Sequence, residues 1–146
     1  MDNGLEIITE KAIEITKKDF FKLLASKSEG LELTITRLGT TFISKWKNDK
    51  GETPSGFFID YTFTNNGNEY QVGISYNVGV PVAEETFTLT SGMNLFKILA
   101  IATDISKAEE VKVTKAFLEE TLTGVKFIGK VGAGFNGFII EPVRKL

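Results

Sequence analysis

The chain contains neither cysteine nor histidine. The first absence excludes disulfides, thiolate metal sites and thiol nucleophiles. The second removes the commonest general base and the commonest metal ligand together. Hydrolytic chemistry would fall to Asp, Glu, Lys or Tyr alone, yet no pair of carboxylates sits in a recognisable acid–base motif. EF-hand spacing is absent, and no glycine pattern opens a helix as a phosphate loop requires. A binding protein without catalytic residues, metal or cofactor is therefore expected. Long apolar runs are missing too. Nothing approaches the roughly 20 residues needed to cross a bilayer, and no signal peptide is visible, which makes a soluble, cytoplasmic protein the expectation. Positive charge is not in surplus: 17 Lys and Arg face 19 Asp and Glu, for a net charge of −2. That balance gives no global pull toward nucleic acid, although a binding groove needs only local positive charge.

What is present suits one globular domain. Its 146 residues are 42% hydrophobic and 25% charged, with fourteen glycines and twelve phenylalanines, enough to bury a core. Leu5 to Ile15 shows no sustained period. Thr16 and Asp19 then mark a helix start, Phe20, Phe21, Leu23 and Leu24 form an apolar stripe, and Gly30 suits the left-handed position after a helix; a helix over Lys17–Lys27 is predicted. After Gly30 the period becomes two. Leu31, Leu33 and Ile35 alternate with polar residues, and Phe42 and Trp46 resume out of phase, so one residue is inserted near Gly39. A single bent strand over Leu31–Lys47, bulged at Gly39, is favoured over a tight hairpin there.

Asn48 to Gly56 is rich in turn formers and reads as a loop. Phe57, Ile59, Tyr61 and Phe63 share one strand face, with Phe58, Asp60 and Thr62 on the other. Asn65-Asn66-Gly67-Asn68 is a hairpin turn leading to the alternating Tyr70, Val72, Ile74, Tyr76 and Val78. Thr86–Leu89 reads as a short extra strand. Ser91 caps a predicted helix to about Thr103, and Thr114 caps another to Leu122. Val125–Val131 and Phe135–Ile140 read as two strands around Gly132-Ala133-Gly134.

This order predicts a β-rich α+β fold, an OB-fold-like five-stranded partly open barrel. It has a helix between strands three and four and an added N-terminal helix. One domain spans residues 1–146, with 1–30 as extension and helix and 31–146 as barrel. The alternative is a sandwich built on a six-stranded antiparallel sheet.

Two stretches carry a family resemblance: Ser91-Gly92-Met93-Asn94-Leu95-Phe96-Lys97-Ile98-Leu99, and Leu122-Thr123-Gly124-Val125-Lys126-Phe127-Ile128-Gly129-Lys130-Val131 before a glycine turn and a last strand. In layout they resemble a bacteriophage family of single-stranded-DNA-binding proteins of OB-fold type. The resemblance covers about 50 residues and implies sequence-independent DNA binding in phage replication or recombination, in the host cytoplasm. The flexible acidic tail of bacterial single-stranded-DNA-binding proteins is absent, so a tail-mediated link to replication partners is not expected.

An OB-fold grips its ligand across strands two and three, between the loops joining strands one to two and four to five. The first loop region carries Lys45, Trp46, Lys47 and Lys50. The second includes Phe135 and is preceded by Lys126 and Lys130. With Arg37 and Phe58, these nine residues are the candidate nucleic-acid-binding set, since single strands need cations for phosphates and aromatics for stacking. Trp46 is either a stacking platform or a core residue in phase with Phe42; Phe58 is either exposed or covered by a helix. Single-stranded DNA is the first expected partner, with RNA as the alternative. Open barrel edges invite strand pairing between copies, so a homo-oligomer is a further expectation. The competing function is a protein–protein interaction module, a phage accessory or inhibitor protein, which an apolar patch away from the basic loops would favour. A small-ligand barrel is disfavoured, because Phe57, Tyr61, Tyr70 and Tyr76 fill the interior.

Overall fold

The computed structural model describes residues 12–43, 45, 47–132 and 139–146. The Thr16 side chain accepts from the Asp19 backbone N–H at 3.1 Å and opens helix α1 (Lys17–Ala25), which stops two residues before the expected Lys27. Gly30 adopts φ +81°, and a Cβ there would lie 2.5 Å from the Gly129 carbonyl oxygen, so only glycine fits this turn. Ahead of α1 lies a strand that the patternless N-terminal segment does not announce, β1 (Ile13–Glu14).

After Gly30 come β2 (Leu31–Leu38), β3 (Phe42–Ile43), β4 (Ser55–Asn65) and β5 (Asn68–Gly79). The β4–β5 hairpin turns through Asn66 and Gly67 at φ 52° and 80°, the positive values that a two-residue turn between twisted strands demands. Next are β6 (Thr86–Thr90), α2 (Asn94–Ala102), β7 (Glu110–Thr114), α3 (Lys115–Leu122), β8 (Lys126–Val131) and β9 (Ile140–Lys145). Ser91 is not the cap of α2; Met93 precedes the helix and makes no side-chain cap bond. Thr114 does cap α3, accepting from the Phe117 N–H at 3.1 Å. Thr114→Ala is expected to cost about 1 kcal/mol, a fall of about 2–4 °C in the calorimetric midpoint. The last strand begins at Ile140, so most of the predicted strand Phe135–Ile140 lies outside the described residues.

Seven strands form one sheet in the order β1-β5-β4-β2-β8-β9, with β3 also paired to β4; β6 and β7 form a separate antiparallel ribbon. Among the described residues the fold is a β-rich α+β arrangement with three helices, and the sheet is not closed into a barrel. Two features border the opening. β1 pairs in parallel with Tyr70 and Gln71 on the outer edge of β5, and α2 packs on β9 while also touching β5. The parallel β1–β5 pair likewise departs from a six-stranded antiparallel sheet.

The phase slip expected at Gly39 resolves into two. β2 shifts register against β4 between Ile35 and Arg37, which returns Leu38 to the core opposite Ile59. A second slip follows, because Phe42 pairs with Gly56, three residues before Ile59 on β4 but four after Leu38 on its own strand. β2 and β3 thus follow β4 as one interrupted strand. The two slips cancel, so Phe42 faces away from the core rather than into it.

One face of the sheet is covered. Phe20, Phe21 and Leu24 of α1, Leu95, Phe96, Ile98 and Leu99 of α2, Leu118 and Leu122 of α3, and Phe87 and Leu89 of β6 are buried with the inward residues of β2, β4, β5 and β8. Phe20 meets Phe63 at 5.4 Å, Phe57 meets Phe87 at 6.3 Å and Tyr61 meets Phe127 at 6.0 Å between ring centroids. The Lys115 stem is buried here, its Nζ lying over the Phe57 ring and 3.2 Å from Glu119, the helical pairing that the spacing predicts. Among the described residues no helix is long and apolar enough to cross a membrane.

Candidate nucleic-acid interface

Among the described residues the opposite face of the sheet carries no helix, and strand register lays its side chains out in rows. One row runs Asn77, Gly56, Phe42; the next sets Ser75 beside Phe58; the third runs Gly73, Asp60, Arg37; the fourth runs Glu14, Gln71, Thr62, Thr34, Lys126. Phe58 sits centrally and is 46% exposed, so no helix among the described residues covers it, contrary to one of the two expectations for it. Its ring lies 5.6 Å from that of Phe42, tilted by 49°.

Gly56 makes room for the Phe42 ring, and Gly73 lies at ordinary contact distance from that of Phe58. A Cβ on Gly56 would come within 2.8 Å of the Phe42 ring, and one on Gly73 would come to 3.7 Å from Phe58. Aromatic rings covering mid-strand glycines offset the packing that glycine lacks. In the third row the Arg37 Nε donates to Asp60 Oδ2 at 3.0 Å, with the arginine side chain 71% exposed and the aspartate 11%. Among the described residues Nε is the one guanidinium nitrogen of Arg37 with a partner. The terminal nitrogens are thus available to an anion, although Asp60 offsets part of the charge.

The loop between β3 and β4 starts and ends beside the Phe42–Gly56 row. Lys45, Lys47 and Lys50 are exposed on it. Asn48 fixes its shape: the Asn48 Oδ1 accepts from the backbone N–H groups of Lys50 and Glu52, each at 2.9 Å, and Gly51 takes φ 77°.

Of the nine candidate residues, Arg37 and Phe58 therefore share one patch, and Lys45, Lys47 and Lys50 lie on the loop that borders it. Lys126 is on the same face but two strands away, about 16 Å from the Phe58 position at ordinary strand spacings, in a recess with Glu32, Thr62 and Glu69. Lys130 falls beyond it, opposite the start of β2. The loops after β3 and after β8 leave opposite ends of β2, so the register does not set them side by side. Trp46 and Phe135 lie outside the described residues.

Sequence reasoning assigned Phe42 to the core; the paired slips bring it onto the patch. It also passed over Glu14, Asp60 and Gln71, which with Arg37 and Gly73 line a recess of about 280 Å3 beside Phe58. Among the described residues no group of three or more acidic side chains is placed to hold a metal ion. Comparison with protein-family models, curated proteins and solved structures finds no match to this chain.

Proposed function

We propose that the chain is a single-stranded-nucleic-acid-binding protein, with DNA as first substrate, that uses the open face of β4 and β5. The observation that carries this reading is the exposed Phe58, set beside Phe42 and Arg37 in the middle of a strand pair that no described helix covers on this face. Phe58 keeps nearly half of its surface exposed after its contacts with Phe42 and Gly73, and every nucleobase offers it a face to stack on. The strand order β5-β4-β2-β8-β9 supports an OB-like ancestry. It is the OB order with the join between third and fifth strands left open, and the Phe58 face corresponds to the ligand face of that fold. The likeness of the Ser91–Leu99 and Leu122–Val131 stretches to phage single-stranded-DNA-binding proteins points the same way, toward replication or recombination.

Local charge sets how the complex responds to salt. Arg37, Lys45, Lys47 and Lys50 are the cations in or beside the patch, and four phosphate contacts give a log–log salt slope of about −3 on a single strand. Fluorescence titration with oligo(dT) is expected to show binding at low salt that weakens less than tenfold when salt is doubled. No binding at low salt ends this reading.

A second reading has its own observation. An apolar groove of about 380 Å3 runs between α2, β7 and α3, lined by Leu99, Ile105, Val111, Val113 and Phe117, and Phe117 is 43% exposed. It lies away from the basic loop, as an interaction module requires.

A further inference from the structure

We infer that the recess beside Phe58 reads the edge of one nucleobase, and that the base it selects is guanine. This rests on the proposed use of the β4–β5 face, and it replaces indifference to sequence with a preference at one position.

The recess is lined by Glu14, Arg37, Asp60, Gln71 and Gly73, with Ile15 and Val72 at its margin. Asp60 is its rigid element. The residue is 8% exposed, and Arg37 holds its Oδ2 at 3.0 Å. The other carboxylate oxygen lies 3.1 Å from where a Gly73 Cβ would stand, so it looks across the bare backbone of Gly73 and has no partner among the described residues. Gly73 has ordinary extended geometry, and no turn there calls for glycine. Its missing side chain instead lets a flat group approach Asp60 along the plane beside the Phe58 ring.

The hydrogen-bonding character of the recess then selects the group. Two carboxylates, Asp60 and Glu14, can only accept when ionised, whereas Arg37 can only donate and the Gln71 amide can do either. A base stacked on Phe58 is recognised through its exposed edge. Guanine presents N1–H and the N2 amino group side by side, for the acceptors, with O6 next to them for Arg37 or Gln71. Adenine and cytosine each present a single amino group flanked by a ring nitrogen whose lone pair would face a carboxylate. Thymine presents one N–H between two carbonyls.

The test uses the intact chain and fluorescein-labelled oligo(dT) in which the central residue is dT, dA, dC, dG or deoxyinosine, read by anisotropy. The dG oligonucleotide is expected to bind roughly tenfold more tightly than the dA, dC and dT forms. Deoxyinosine, which lacks the N2 amino group, is expected to lose most of that gain. Asp60→Asn, which adds a donor while keeping an oxygen for Arg37, and Gly73→Ala, which narrows the recess, are each expected to bring the dG-to-dT ratio to within twofold of unity. Equal binding of all five oligonucleotides by the native chain, or a preference for a base other than guanine, overturns the inference while leaving single-strand binding intact. Failure of every oligonucleotide to bind overturns the underlying reading and this one with it.

Discussion

Phe58→Ala is expected to weaken oligo(dT) binding by about 5- to 150-fold, the equivalent of about 1–3 kcal/mol for one lost stacking contact. The effect on stability is expected to be small. Phe58 is nearly half exposed, and its described ring partner, Phe42, is itself only partly buried, so truncation opens no cavity in the core. This separation of binding from folding makes the substitution informative: anisotropy with labelled oligo(dT) measures the first, and a thermal melt the second. Phe42→Ala should weaken binding less, because its ring is committed to covering Gly56. Phe117→Ala is the control, an aromatic of similar exposure on the other side of the molecule. If Phe58→Ala leaves oligonucleotide binding as unchanged as Phe117→Ala does, the face of β4 and β5 is not the interface.

The features legible in the sequence are those decided locally. Thr16 and Thr114 announce α1 and α3 because a threonine oxygen can satisfy an orphan backbone N–H at a helix start, and both do so. Asn66 and Gly67 announce the hairpin because few other residues tolerate their backbone angles. Phe58 was legible as a candidate because it interrupts an otherwise polar strand face. The features that were not legible depend on distant parts of the chain. β7 alternates Val111 and Val113 with the exposed Glu110 and Lys112, a pattern only five residues long that becomes decisive when β6 pairs along it. β1 has no period of its own and is ordered against the edge of β5. Two register slips that cancel leave the same parity as none, so unbroken alternation from Leu31 already turns Phe42 outward; placing it in the core because it is apolar assumes a single slip, and the chain makes two. Barrel closure is not legible for the same kind of reason, since it depends on whether β9 and β5, far apart in sequence, meet edge to edge, and β5 pairs with β1 on that side instead. The candidate patch inherits this mixture. Phe58 and Arg37 come from one strand pair whose core face is plain in the sequence, whereas the recess around Asp60 needs β1, β2, β4 and β5 assembled before it exists.

The interior holds a second testable device, the pair of tyrosines on β4 and β5. The Tyr61 and Tyr76 hydroxyl oxygens lie 2.6 Å apart in the core, with the residues 0% and 6% exposed. Each hydroxyl is thus the other's substitute for water, and the two replacements are expected to be strongly non-additive. Tyr61→Phe leaves the Tyr76 hydroxyl buried without a partner, which costs about 1–3 kcal/mol; the converse single replacement costs a similar amount. The double phenylalanine variant removes both polar groups together and should recover to within about 1 kcal/mol of the native chain, a coupling that urea denaturation of the four proteins measures directly. The same pair sets an alkaline limit. Burial pushes both hydroxyls well above the ordinary tyrosine value of 10.0, and their shared hydrogen bond raises Tyr61 further while relieving Tyr76 in part. A folded-state value raised above the unfolded one contributes stability that is complete below about pH 10. That stability is lost above it, because the unfolded chain can release protons that the folded chain must keep. Each buried hydroxyl then lowers stability by about 1.4 kcal/mol per pH unit. Tyrosinate absorbance from this pair should therefore rise together with loss of the folded circular dichroism signal, and the double phenylalanine variant should stay folded to higher pH. Ionisation of both hydroxyls in a chain that keeps its native spectrum would show that the pair is open to solvent and not part of the core.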